Sequence, residues 1–336
     1  MISGVWAAEA ARVLKDAWSV TIDTHDREER PMTRELSHVT RGQFLTLAAS
    51  AAAAVVVPAQ AAATLDTRAI PKSKTSERLP VIGLGTAQDF GDRANDVEAK
   101  MQVVKSLVDG GGKVLDTAPS YREAEALCGE YMQKLGIRDK IFLSTKVQER
   151  GRENGFKSVE RSFVDLRVSV IDLMNVHNMI DVDAHLPLLR DLKAQGKIRY
   201  IGVTSTGSNQ DELTRWLKDV DFIQFAYSVD GRQPEKKLLP AAQDAGVATF
   251  IALPFGRNRL LNAMRGKAVP EWAVKELGCE SYAQLALKFV ASHPAVTVAI
   301  PGTQNPRHMA DNLLAGAGVM PDAKQRERIA ALWAKA

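Results

Sequence analysis

Cysteine is nearly absent: the 336 residues hold two, Cys128 and Cys279. They lie far apart, with no histidine or second cysteine at ligand spacing, which argues against a zinc site or any other metal centre. Cys128 falls in an apolar helical pattern and reads as a small buried hydrophobe; the pairing of the two thiols is left open. Charge of one sign is also scarce, 44 basic against 40 acidic side chains for a net +4. No basic stripe interleaved with aromatics occurs, so no nucleic-acid partner is expected. The densest basic cluster, Lys324 to Arg328, is interrupted by Glu327 and reads as a solvated helix face. No Gly-x-Gly-x-x-Gly follows a strand pattern, since Gly83-Leu84-Gly85 lacks the third glycine, which removes support for a Rossmann domain. No apolar run approaches the roughly 20 residues that span a bilayer, so no stable membrane anchor is expected.

What is present is ordinary for a globular protein with a sizeable core: 45% hydrophobic and 25% charged residues. The length admits one large domain or two smaller ones. Phe44 to Val57 is a weakly apolar stretch with Arg41 before it and Pro58-Ala59-Gln60-Ala61-Ala62-Ala63 after it, the layout of an export signal. Thr40-Arg41-Gly42-Gln43-Phe44-Leu45 is similar to a twin-arginine signal whose second arginine has become Gly42, and it predicts a periplasmic or exported protein; the alternative is cytoplasmic. Residues 1–63 are read as this leader, with Met32 as an alternative start or, failing that, an N-terminal extension with a short helix around Trp6 to Trp18. The remainder, 64–336, is read as a single domain.

From Leu79 onward, strand-like apolar runs alternate with helical patterns, which predicts βα units on a parallel sheet. Eight strands are predicted, at Val81–Thr86, Lys113–Thr117, Ile141–Lys146, Ile171–His177, Tyr200–Thr204, Phe222–Tyr227, Ala248–Leu253 and Thr297–Ile300. Helices are expected at Val97–Asp109, Glu123–Leu135, Ser158–Val168, Leu186–Gln195, Gln210–Asp219, Glu235–Asp244 and Tyr282–Ser292. Extra helices are expected after the seventh strand, Arg257–Met264 and Glu271–Leu277, and after the eighth, Arg307–Leu314 and Asp322–Lys335. Eight repeats favour a closed (β/α)8 TIM barrel, whose chemistry sits where the strands end.

Four polar residues stand at such ends: Asp116 and Tyr121 after the second strand, Lys146 closing the third, His177 closing the fourth. A phenol with a free pKa of about 10 is a slow acid at neutral pH. A nearby ammonium would stabilise its phenolate, and a carboxylate would keep that ammonium charged and oriented. With Gly83-Leu84-Gly85-Thr86, Asp116-Thr117-Ala118-x-x-Tyr121, Ser144-Thr145-Lys146, Val176-His177-Asn178, Ile201-Gly202-Val203-Thr204, Gln224 and Ile300-Pro301-Gly302-Thr303 in order, the chain from about Arg78 onward resembles the aldo/keto reductases.

The resemblance implies Asp116, Tyr121, Lys146 and His177 as a catalytic tetrad, NADPH as cofactor with NADH as an alternative, and a small-molecule carbonyl compound, an aldehyde or ketone, as substrate. It implies a cofactor site drawn from Gly85, Thr86, Asp116, Asn178, Thr204, Ser205, Gln224, Pro254, Phe255, Gly256, Arg257, Gly302, Thr303, Arg307 and Asn312. Thr204, Ser205 and Gln224 fall where the family holds the carboxamide, Ser205 replacing an amide side chain. Arg307 falls where a 2′-phosphate would be met, while Gly302 and His308 replace two cations often found there. Ala252 stands where many members stack an aromatic ring on the nicotinamide, with Phe255 or Tyr227 as possible substitutes. Ala87 and Asn178 imply an open, less aromatic mouth. Two other readings use the same residues: a cofactor-binding sensor with little turnover, and an aldolase-like site with Lys146 as Schiff-base nucleophile. The sequence leaves the oligomeric state open.

Overall fold

The computed structural model of the chain describes residues 64–335. The expected leader, its export motif and Met32 lie outside the described residues. Among the described residues, no helix is long and apolar enough to cross a membrane.

A short antiparallel hairpin comes first, β1 (Thr67–Ala69) with β2 (Arg78–Pro80). Eight parallel strands follow: β3 (Leu84–Gly85), β4 (Val114–Asp116), β5 (Phe142–Val147), β6 (Ile171–Val176), β7 (Ile198–Ser205), β8 (Phe222–Ala226), β9 (Ala248–Ala252) and β10 (Val298–Ala299). Each pairs with its neighbour in sequence order. Parallel bridges Ile82 to Ala299 and Gly85 to Gly302 join the last strand to the first. Gly83 N donates to Ala299 O at 2.9 Å and Gly85 N to Pro301 O at 3.0 Å, so the sheet closes on itself. Gly85 is required by this seam, because a Cβ there would sit 2.9 Å from Ile300 O.

Among the described residues ten α-helices pack outside or after the barrel: α1 (Val97–Asp109), α2 (Ala124–Leu135), α3 (Arg152–Leu166), α4 (Val182–Ala194), α5 (Leu238–Asp244), α6 (Arg259–Ala263), α7 (Glu271–Leu277), α8 (Tyr282–Ala291), α9 (Pro306–Leu314) and α10 (Ala323–Ala334). Their starts follow local chemistry where caps are present. Asp96 accepts from Ala99 N at α1, Ser281 from Gln284 N at α8, and Asp322 with Gln325 forms a reciprocal capping box at α10.

Three helical expectations are corrected. Gln210–Asp219 is a 3-10 turn, Gln210–Trp216, whose one buried residue is Leu213; it has too little apolar face to hold an α-helix, and the Thr214 hydroxyl bonds Asp211 O locally. Glu235–Asp244 is split into a 3-10 turn, Gln233–Lys236, and α5. A continuous helix would place Pro240 in its interior, whereas a start at Leu238 puts it in the first turn, where the missing N–H costs nothing. The fourth helix begins at Val182 and carries Pro187 inside it. Burial of Val182, His185 and Leu186 offsets the roughly 3 kcal/mol cost of an interior proline.

Side chains alternate along the strands, and the inward set is graded from apolar to polar. At the N-terminal end Val114, Phe142, Leu173, Tyr200, Phe222, Phe250 and Val298 fill the barrel, floored by Ile70 and Leu79 of the hairpin region. Neighbouring rings meet mostly edge to face, Phe222 and Phe250 at 5.2 Å between centroids. Two residues further along the same strands, inward positions carry Asp116, Ser144, Asn175 and Gln224. The polar site therefore rests on a dry aromatic floor.

Candidate active site

Asp116, at the end of β4, is 2% exposed and is the hub of the mouth. Its Oδ2 accepts from Lys146 Nζ at 2.8 Å and Gln224 Nε2 at 3.2 Å, while Oδ1 accepts from Ser144 Oγ at 2.7 Å. Lys146, 1% exposed, also donates to Thr117 O at 2.6 Å. Burial alone would lower the Lys146 pKa. The Asp116 carboxylate and the Tyr121 phenol outweigh it and hold the ammonium above the ordinary lysine value. A lysine kept charged in this way is a poor Schiff-base nucleophile, which counts against the aldolase-like reading.

Tyr121 lies half-buried in the loop after β4, with Lys146 Nζ 5.1 Å from its ring centroid. His177 stands edge-on to that ring, centroids 6.1 Å apart and planes at 85°. Burial and then the Lys146 charge push the His177 pKa down to about 3, so its imidazole is neutral through the physiological range. Its Nδ1 meets Gln148 Oε1 at 2.9 Å. The four residues expected to act together are thus gathered at one end of the barrel from three consecutive strands.

Supporting residues that the sequence reading missed lie directly beneath. Asn175 Nδ2 donates to Ser144 Oγ at 3.1 Å, which in turn donates to Asp116. Gly202, opposite Asn175 in the strand register, leaves room for that amide: a Cβ there would come 2.1 Å from Asn175 Oδ1. The signal was available, since Ser144 and Asn175 precede Lys146 and His177 by two positions and share their inward face.

The expected cofactor residues fall into distinct groups. Thr204 and Ser205 end β7 and Gln224 lies on β8 beside them, all buried. Gln224 Oε1 is buried with no hydrogen-bond partner among the described residues. Thr204 Oγ1 accepts from Asn178 N at 3.0 Å, and Asn178 takes a left-handed backbone, φ 50°. Ser205 Oγ donates to Asn209 Oδ1 at 3.0 Å, placing an amide beside the position where Ser205 replaces one. Thr86 is fully buried with its hydroxyl bonded to Asp116 O at 3.0 Å. The loop after β9 turns through left-handed residues Leu253, Gly256, Arg257 and Asn258. After β10, exposed Gly302 and half-buried Thr303 lead into α9, where Asn305 caps Arg307 N at 2.9 Å, Arg307 is exposed and Asn312 is buried.

Neither suggested substitute for a stacking ring is free to serve. Phe255 is 7% exposed and packs in the main apolar core. Tyr227 packs on Phe289 and His293 of the α8 region, with its hydroxyl donating to Glu235 Oε1 at 2.5 Å and accepting from Arg326 at 2.7 Å.

Comparison with known proteins agrees with this layout. The family model described as Aldo/keto reductase family matches residues 81–334. The chain is 28% identical over 200 residues to aldo-keto reductase YhdN of Bacillus subtilis, a match covering 54% of this chain and 60% of that protein. It is 28% identical over 247 residues to methylglyoxal reductase YeaE of Escherichia coli, covering 70% of this chain and 84% of that protein. Among solved structures, an aldo-keto reductase from Klebsiella pneumoniae in complex with NADPH superposes with a TM-score of 0.68 at 24% identity, over 77% of this chain and 93% of the other. A barrel of this topology, matched by that family model over most of the chain, makes this protein a member of the aldo/keto reductase family of oxidoreductases.

Proposed function

We propose that the chain reduces an aldehyde or ketone to an alcohol with NADPH, with Tyr121 as the general acid. The observation that carries this reading is the buried Lys146–Asp116 pair set under the Tyr121 ring, with neutral His177 edge-on to it. A reduced nicotinamide, when bound, supplies hydride to the carbonyl carbon. Tyr121 gives its hydroxyl proton to the carbonyl oxygen, and Lys146 stabilises the phenolate left behind until solvent returns a proton. Asp116 keeps Lys146 charged and aimed, and His177 offers a ring N–H to the same oxygen, orienting the carbonyl before transfer.

The residues present fit such a cofactor. Gln224 Oε1 is a buried acceptor without a donor, the complement of a carboxamide N–H. Thr204 and Ser205 offer hydroxyls on the next strand, and the start of α9 offers Arg307 near a helix N-terminus, suited to a 2′-phosphate. Relatives named as methylglyoxal reductases, one of them NADH-specific, support a small carbonyl substrate. A second reading, a cofactor-binding protein with little turnover, is favoured by Ala252 and by the absence of a free ring at Phe255 and Tyr227.

The test is NADPH consumption over a panel of aldehydes and ketones, with Tyr121→Phe alongside. Loss of turnover by about 100-fold or more in the variant, with NADPH affinity unchanged, is expected. NADPH binding without turnover in either protein favours the second reading, and failure to bind a nicotinamide overturns both.

A further inference from the structure

Adjacent residues of the loop after β5, Gln148 and Glu149, each meet a histidine, and the two contacts differ in kind. Glu149 presents its backbone oxygen to His185 Nε2 at 2.5 Å. A carbonyl oxygen can only accept, so His185 carries its proton on Nε2, and its buried Nδ1 has no partner among the described residues. His177 Nδ1 instead meets a side-chain amide, 2.9 Å from Gln148 Oε1. Among the described residues, neither amide atom of Gln148 nor the other ring nitrogen of His177, Nε2, has a further hydrogen bond. The amide is therefore free to turn by half a rotation about its terminal bond. With oxygen toward the ring, Nδ1 holds the proton and Nε2 offers a lone pair. With the NH2 toward the ring, Nδ1 accepts and Nε2–H is left to donate.

Donation to a carbonyl oxygen requires the second state, and the transition state is shared by reduction and its reverse. We propose that Gln148 is a positioning residue that selects the Nε2–H tautomer of His177 by turning its amide NH2 onto Nδ1. This rests on the reductase reading of the site. Charge does not solve the problem for the ring, because the groups facing it are the Lys146 ammonium from β5 and the neutral Tyr121 phenol, and the imidazole stays uncharged. A carboxylate or carbonyl in place of the amide would fix the wrong tautomer, whereas the amide NH2 can donate to Nδ1 and hold the right one.

The experiment compares wild type, Gln148→Glu and Gln148→Leu by steady-state kinetics between pH 5 and 8, and by 15N spectra of histidine-labelled protein, His177 being assigned with His177→Asn. Gln148→Glu keeps size and shape but can only accept when ionised. It is expected to lose about 100-fold in kcat at neutral pH with the KM for cofactor unchanged, and to show His177 protonated on Nδ1. Gln148→Leu leaves both tautomers accessible and is expected to lose less than about tenfold. The added carboxylate also raises the His177 pKa, and the imidazolium carries a proton on both nitrogens, so Gln148→Glu should regain activity as pH falls. A packing role predicts the reverse order, Leu worse than Glu with no pH rescue, and would overturn the proposal. So would a wild-type His177 protonated on Nδ1 in the presence of cofactor and a substrate analogue. An inactive wild type whose 15N tautomers still follow this pattern would refute the reductase reading and leave the role of Gln148 intact.

Discussion

Replacing Asp116 by Asn removes the carboxylate bonded to the Lys146 ammonium while keeping the shape of the side chain. Lys146 is 1% exposed, and after the change its ammonium faces Thr117 O, the Tyr121 side chain and the introduced amide, with no carboxylate among the described residues bonded to it. Breaking a buried ion pair by deleting one partner costs about 3–5 kcal/mol, and an asparagine oxygen that still accepts places this case near the lower end. For a domain of this size, about 3 kcal/mol corresponds to a fall in Tm of roughly 6–12 °C. The sign of the pH dependence is a sharper check. In the native protein the Lys146 pKa is raised, so its stabilisation is complete below the ordinary lysine value and is lost as pH climbs through the raised folded one. Without Asp116, burial prevails and the folded pKa drops below the unfolded one. Stability attributable to Lys146 then rises with pH toward that unfolded value. Thermal melts of wild type, Asp116→Asn, Lys146→Met and the double variant at pH 7 and above would measure both effects. Removing both partners should cost less than the sum of the single changes. Additive losses, or the same pH slope in Asp116→Asn as in wild type, would refute the ion-pair account.

Two further changes probe the surroundings. Glu125, buried between α2, α3 and β5, has its pKa pushed up to about 7 by desolvation, only partly offset by hydrogen bonds from Thr145 and Ser162. Its folded state holds the proton more tightly than the unfolded chain, so its contribution is present at low pH and lost as pH rises through about 7. Glu125→Gln should therefore raise the urea midpoint at pH 8, by the equivalent of roughly 2–4 kcal/mol, and change it little at pH 4. Gly202→Ala drives a methyl into Asn175 Oδ1 and, through Ser144, disturbs Asp116. It should destabilise the fold by about 1–3 kcal/mol and lower kcat; retained wild-type kinetics would show that the Asn175–Ser144 link does not position the carboxylate.

Much of the barrel and the gathering of the four mouth residues could be read from alternation alone. Apolar strand runs separated by helical patterns call for parallel units, and polar residues at strand ends fall at one mouth. What escaped notice had no apolar signal. The β1–β2 hairpin is two short strands with polar positions, recognisable only because Ile70 and Leu79 floor the barrel. Asn175 reads as an unremarkable strand residue, and Ser144 and Gly202 as motif members without a role of their own, until their partners across the register are known. Gln148 lies beyond the strand, where no periodicity applies, and its importance comes only from the nitrogen it meets. Tyr227 and Phe255 show the converse: position in sequence brought them near the mouth, while packing against helices claimed both rings.

The seam of the barrel bears on how the chain comes into being. Ile82 and Gly85 pair with Ala299 and Gly302, partners from opposite ends of the described chain. As the polypeptide leaves the ribosome, the first strand has one open edge until the last βα unit has been made, and a long loop must close before that edge is rewarded. The nascent protein therefore carries a half-paired parallel strand through most of its synthesis, an open edge that chaperones would have to shield and that neighbouring chains on one polysome could wrongly extend.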